Sequence, residues 1–126
     1  MGNNIILTDS APKPIGPYSQ AVMAGNTLYL SGQIALDPQT GLMHQEDIKT
    51  ETMQVMKNIE AVLNKAGVSF SQVVKVTIYC TDLANFAAIN EIYGSYFSTN
   101  PPARETVQVS ALPKGAHVEI SLIAVK

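Results

Sequence analysis

"PPARETVQVSALPKGAHVEISLIAVK", Pro101 to Lys126, is the stretch that says most about the architecture of the chain. Its first half alternates from Ala103 to Ser110, which predicts a strand with Arg104, Thr106 and Gln108 on one face and Val107 and Val109 on the other. Its second half alternates from His117 to Val125, with Val118, Ile120, Leu122 and Ala124 on one face and Glu119 on the other. These two strands are expected to be neighbours, which would place Arg104, the only arginine of the chain, near Glu119.

Immediately upstream, Asn100-Pro101-Pro102 ends whatever precedes it, because the residue before a proline is pushed out of the helical region. That preceding element reads as a helix from Asp82, a good N-cap, to about Phe97. "VVKVTIYC", Val73 to Cys80, alternates as a strand. From Asp47 to Ala66 the apolar positions Ile48, Val55, Met56, Ile59, Val62, Leu63 and Ala66 recur at three and four residues, and Gly67 suits a helix C-terminus. "AVMAGNTLYLSGQIAL" is two apolar runs joined by Gly25-Asn26, a hairpin signal, and "DPQTG" is a turn. The order is β-rich, α, β, α, β, β, an α+β domain spanning 1–126 without repeats. Two helices can cover one face of such a mixed sheet, whereas parity puts Tyr29, Tyr79, Ile123 and Val125 on the other. With 46% hydrophobic residues, burial of that second face against further copies of the chain is expected.

A net charge of -2 and scattered lysines argue against a nucleic-acid partner. The N-terminal "MGNNIILTDSAPKP" has neither a basic start nor a long apolar run, so no signal peptide, membrane anchor or membrane partner is expected, and the location is expected to be cytoplasmic. A single cysteine excludes an internal disulfide and a multi-cysteine zinc site. Cys80 falls in parity with Val74, Val76 and Ile78 and reads as an inert buried thiol. His44 and His117 have no partner at metal-ligand spacing and read as surface histidines. There is no nucleophile elbow, P-loop, dinucleotide fingerprint or HExxH, so neither metal nor cofactor is expected.

Three polar residues carry chemical interest, each with a plain alternative. Arg104 offers a planar fork that holds a carboxylate by two parallel hydrogen bonds, or it forms a surface ion pair. Glu119, mid-strand in an apolar segment, is functional or simply pairs with Arg104 or a lysine. Asn90 lies on the helical stripe Phe86, Asn90, Tyr93, Phe97, so its amide is expected to face packed groups and to bridge the fold or touch a ligand.

Together "PPARETVQV", "ALPKG" and "VEI" resemble the C-terminal signature of the reactive intermediate deaminase family, the RidA or YjgF-like proteins. "IGPYSQA" at Ile15 to Ala21, "LSGQIALDPQTG" at Leu30 to Gly41 and "TDLANFAAINEIYGSYF" at Thr81 to Phe97 resemble its other segments in the same order. The resemblance implies a chorismate-mutase-like fold assembled as a homotrimer, with clefts between subunits that bind small carboxylates. It implies hydrolysis of 2-imino acids and their enamine tautomers, such as 2-aminoacrylate, to 2-keto acids and ammonia; a non-catalytic trimer that binds a small carboxylate is the alternative. Carried over by position, it makes Arg104 the carboxylate clamp and Glu119 the residue that orients water. Tyr18, Ser31, the backbone around Gly32, Asn90 and Thr106 complete the implied pocket, Thr106 standing where some members have a cysteine. Glu105 departs from the small residue that many relatives place after the arginine, but parity aims it away from the Arg104 face.

Overall fold

The computed structural model describes residues 3–126. Among them, six strands form one sheet: β1 (Asn4–Ile6), β2 (Ala21–Ala24), β3 (Thr27–Gln33), β4 (Val73–Cys80), β5 (Ala103–Gln108) and β6 (Val118–Val125). Their order is β1-β2-β3-β6-β4-β5. β4 and β5 run parallel, and the other neighbouring pairs are antiparallel. Helices α1 (Ile48–Ala66) and α2 (Phe86–Gly94) pack against each other, and α1 lies on β3 and β6.

This strand order overturns the expectation that the Arg104 and Glu119 strands are neighbours. β4 runs between them, with Val76 opposite Arg104 and Tyr79 opposite Glu119. Composition explains the arrangement. β6 buries Val118, Ile120, Leu122 and Ala124 and pairs on both sides, whereas β5 carries Arg104 and Glu105 and forms a charged edge. Because Val76 is buried in the core while Glu119 shares its face with Tyr79, Arg104 faces the helices and Glu119 faces away from them.

α1 begins where Asp47 accepts hydrogen bonds from the Thr50 amide at 2.7 Å and its hydroxyl at 3.1 Å. It ends at Gly67, whose φ of 72° is costly for any residue with a Cβ. Its buried stripe of Val55, Met56, Ile59, Val62 and Leu63 meets the sheet's inner face, where truncating a side chain such as Ile59 to Ala costs about 2–5 kcal/mol. The second helix is shorter than its sequence suggests: Asp82 caps a 3₁₀ turn, Leu83–Asn85, before α2 begins. Parity also fails at Val74, which is exposed because the β4–β6 register shifts between Val73 and Lys75. Cys80 is buried as expected. On the sheet face away from the helices, Tyr29 is 51% and Val125 44% exposed. No helix among the described residues is long and apolar enough to cross a membrane.

Candidate functional site

The implied pocket residues fall into two groups on opposite faces of the sheet. The first surrounds a cavity of about 550 Å³ lined by Tyr18, Ser31, Gly32 and Glu119, with Pro12, Lys13, Gln33 and Ile34 among its other walls. Its floor is a β-bulge: β3 and β6 pair at Leu30↔Leu122 and resume at Gln33↔Ile120, leaving Ser31 and Gly32 outside the ladder. The Ser31 amide donates instead to the Gln20 carbonyl at 2.9 Å, and its hydroxyl donates to the Ser19 carbonyl at 2.6 Å. The Ser31 oxygen is therefore left to a ligand as an acceptor. Gly32 lies directly against Glu119; a Cβ there would stand 2.3 Å from Glu119 Oε2. Burial raises the Glu119 carboxyl above its ordinary range.

The second group lies beneath α2. Arg104 Nη1 donates to Asn90 Oδ1 at 2.7 Å, and the guanidinium stands 5.4 Å from the Phe86 ring centre and 5.0 Å from that of Tyr93. Stacking on two rings holds the fork in place without neutralising it. No carboxylate pairs with Arg104 among the described residues, so the surface ion pair is not formed within the chain. Asn90 is exposed rather than packed, against the expectation from its stripe, and it acts through its carbonyl oxygen. Beside Arg104, the Thr106 and Tyr93 hydroxyls are buried without a hydrogen-bond partner. A buried hydroxyl without a partner is costly, so these two are suited to a group arriving from outside the chain. Glu105 points to the other face, where it meets Lys75 and Thr77, and these bonds lower its carboxyl below the usual range.

Sequence reasoning missed the residues that brace the cavity. Gln20, 1% exposed, accepts from the Thr8 amide at 2.8 Å and donates to the Pro12 carbonyl at 2.8 Å, fixing one wall. Asn58 on α1 donates to the Ile34 and Leu36 carbonyls at 3.0 and 2.9 Å, fixing another. Glu51, also 1% exposed, accepts from the His117 amide at 2.7 Å and lies 2.8 Å from its Nδ1, so His117 is at the surface as expected but anchored there. The signal was present: Glu51 and Asn58 share a helical stripe with Val55 and Val62, and a polar residue on a buried stripe must find a partner. His44 pairs with Asp37 at 2.8 Å, and no cluster of three His, Cys, Asp or Glu among the described residues could hold a metal.

A chain with this six-stranded sheet, two helices and polar bulge is of the same class as the Rid-family protein YyfA of Yersinia pestis, which it matches with a TM-score of 0.97 and 50% identity over 99% of this chain and 100% of that one. E. coli TdcF, solved with bound serine, matches with a TM-score of 0.93 and 40% identity over 98% of each chain. The human 2-iminobutanoate/2-iminopropanoate deaminase is 45% identical over 122 residues, covering 97% of this chain and 89% of that protein. Residues 8–126 match the model of the family described as Endoribonuclease L-PSP, and the chain belongs to that family, which takes in the RidA and YjgF-like proteins.

Proposed function

We propose that this protein is a cofactor-independent deaminase that hydrolyses 2-imino acids and their enamine tautomers to 2-keto acids and ammonia, working as a homotrimer with sites between subunits. The observation that carries this reading is the separation of the two groups. Arg104 is unpaired on the helix face and Glu119 is half-buried in a cavity on the other face, so one chain does not bring them together. A second copy that laid its β5 edge against the cavity would join them and cover the face bearing Tyr29 and Val125. The likeness to a deaminase and to a protein solved with serine, itself a small α-carboxylate, supports the ligand class.

In this site Arg104 of one subunit fixes the substrate carboxylate by two hydrogen bonds, with the Asn90 oxygen, Tyr93 and Phe86 holding the guanidinium. Thr106 donates to the same carboxylate. Glu119 of the other subunit, with Tyr18, Ser31 and Gly32 around it, holds a water against the C=N carbon. As the water oxygen bonds to that carbon, Glu119 takes one of its protons and passes it to nitrogen. The carbinolamine then collapses: Glu119 takes the remaining hydroxyl proton and passes it to nitrogen, the C–N bond breaks as C=O forms, and nitrogen leaves as ammonia. A carboxyl raised by burial is better matched to this traffic near neutral pH than an ordinary one. Positioning and proton transfer supply factors of roughly 10²–10⁴, enough for a bond that already hydrolyses in water.

The test is ammonia release from freshly generated 2-iminobutanoate, with assembly followed by light scattering. Equal mixing of unfolded Arg104→Ala and Glu119→Gln chains before refolding should restore about a quarter of the wild-type rate, since random trimers rebuild that share of intact interfaces. Binding of 2-oxobutanoate without ammonia release by the wild type would instead support the carboxylate-binding regulator. A stable monomer would remove the shared site.

A further inference from the structure

The cavity holds two more charges that imine hydrolysis, as described above, leaves unused. Lys13 follows the wall fixed by Gln20, and Lys114 stands in the 3₁₀ turn Pro113–Gly115 just before β6; both are exposed and both line the cavity. Lys49 and Lys75 have carboxylate partners, but no ion pair forms at Lys13 or Lys114 among the described residues. Lys114 is also held at φ 56°, ψ 29°, a left-handed conformation that Gly or Asn adopts with less strain. Apolar walls from Ile15, Ile34 and Leu36 complete the cavity around them.

We propose that Lys13 and Lys114 form a subsite for an anionic substrate side chain, so that the cavity takes 2-imino acids bearing a second carboxylate, of the kind formed from an acidic amino acid. This rests on the imine-hydrolase reading. The reacting carbon is handled as before, and the lysines engage the distal carboxylate without entering the chemistry. Because both side chains are exposed, each contributes a modest preference, up to about fivefold.

The experiment compares kcat/KM for freshly generated 2-iminoglutarate and 2-iminobutanoate in wild type, Lys13→Gln, Lys114→Gln, the double variant and Lys114→Arg. The ratio of the two substrates within each variant cancels any loss of folded protein. It should fall about threefold to fivefold in each single glutamine variant, further in the double variant, and stay near wild type in Lys114→Arg. Calorimetric binding of 2-oxoglutarate against 2-oxobutanoate should follow the same ranking and weaken with added salt. A ratio unchanged across the variants, or a wild type that binds 2-oxobutanoate but not 2-oxoglutarate, overturns the subsite. Failure of the hydrolase reading looks different: neither imine is turned over, while lysine-dependent binding of 2-oxoglutarate persists.

Discussion

The β5–α2 end of the molecule and the β3–β6 bulge treat their charged groups in opposite ways. Arg104 is braced on two aromatic rings and one amide oxygen, with its position set before anything binds. Glu119 lies against a glycine in an open cavity, its carboxyl raised by burial. On the proposed reading one end is a rigid seat for the substrate's carboxylate, and the other is a carboxyl kept short of partners. A seat must be stiff to orient a substrate, whereas a proton acceptor must be uncomfortable when ionised if it is to act near neutral pH.

The largest effect should come from removing the acceptor. Glu119→Gln keeps the shape but not the base, so kcat should drop by roughly 10²–10⁴ while 2-oxobutanoate still binds. The same variant reports on the burial. A carboxyl raised in the folded state holds its proton to higher pH than in the unfolded chain, so its favourable contribution is present at low pH and is lost as pH rises through the raised value. Denaturant midpoints of Glu119→Gln should therefore gain on wild type as pH rises above the ordinary glutamate range. A constant gap would mean that burial does not strain the ion.

At the other end, Arg104→Lys keeps the charge but gives up the fork and the ring stacking. Calorimetry should show 2-oxobutanoate bound roughly 10- to 100-fold more weakly, from charge-assisted hydrogen bonds worth about 1.5–3 kcal/mol. Unchanged affinity would remove Arg104 from the carboxylate and leave the braced end with no role in the reaction.

These expectations join features of unequal legibility. Faces could be read from alternation, so Cys80 is buried and Glu105 points away from Arg104, as parity requires. The caps Asp47 and Gly67 likewise mark α1. Strand order could not be read, because β4, β5 and β6 each fix which side a residue faces but not which strand lies beside it. The bulge at Ser31 and Gly32 was hidden for a related reason: it depends on how β6 pairs, and nothing local to "LSGQI" demands it. The aromatic support of Arg104 needed α2 and β5 to meet through parallel pairing with β4.

A smaller effect tests the closeness at the bulge. In Gly32→Ala the new methyl would sit 2.3 Å from Glu119 Oε2 and must displace the end of that flexible side chain rather than the backbone. Thermal stability should hold while kcat falls about tenfold, since misplacing a reacting group costs rate before it costs fold. Full activity would show that Glu119 needs no close seat. The smallest effect belongs to neither end: Cys80→Ser, buried with its thiol 3.8 Å from the Val107 carbonyl, should leave turnover within about twofold and lower stability by about 1 kcal/mol. Lost turnover in a folded Cys80→Ser protein would put the chemistry somewhere other than Arg104 and Glu119.

The bond between Glu51 and His117 also works as an alignment pin. It fastens the residue just before β6 to the middle of the protein by both carboxylate oxygens. Were β6 to slide by one residue, every side chain on it would exchange faces: Glu119 would be driven into the helix-covered interior and Val118 and Ile120 turned out to solvent. A helix residue outside the cavity lining thus sets which way the last strand is threaded. The placement of Glu119 is inherited from α1, so sequence changes in that helix can silence the site without touching it.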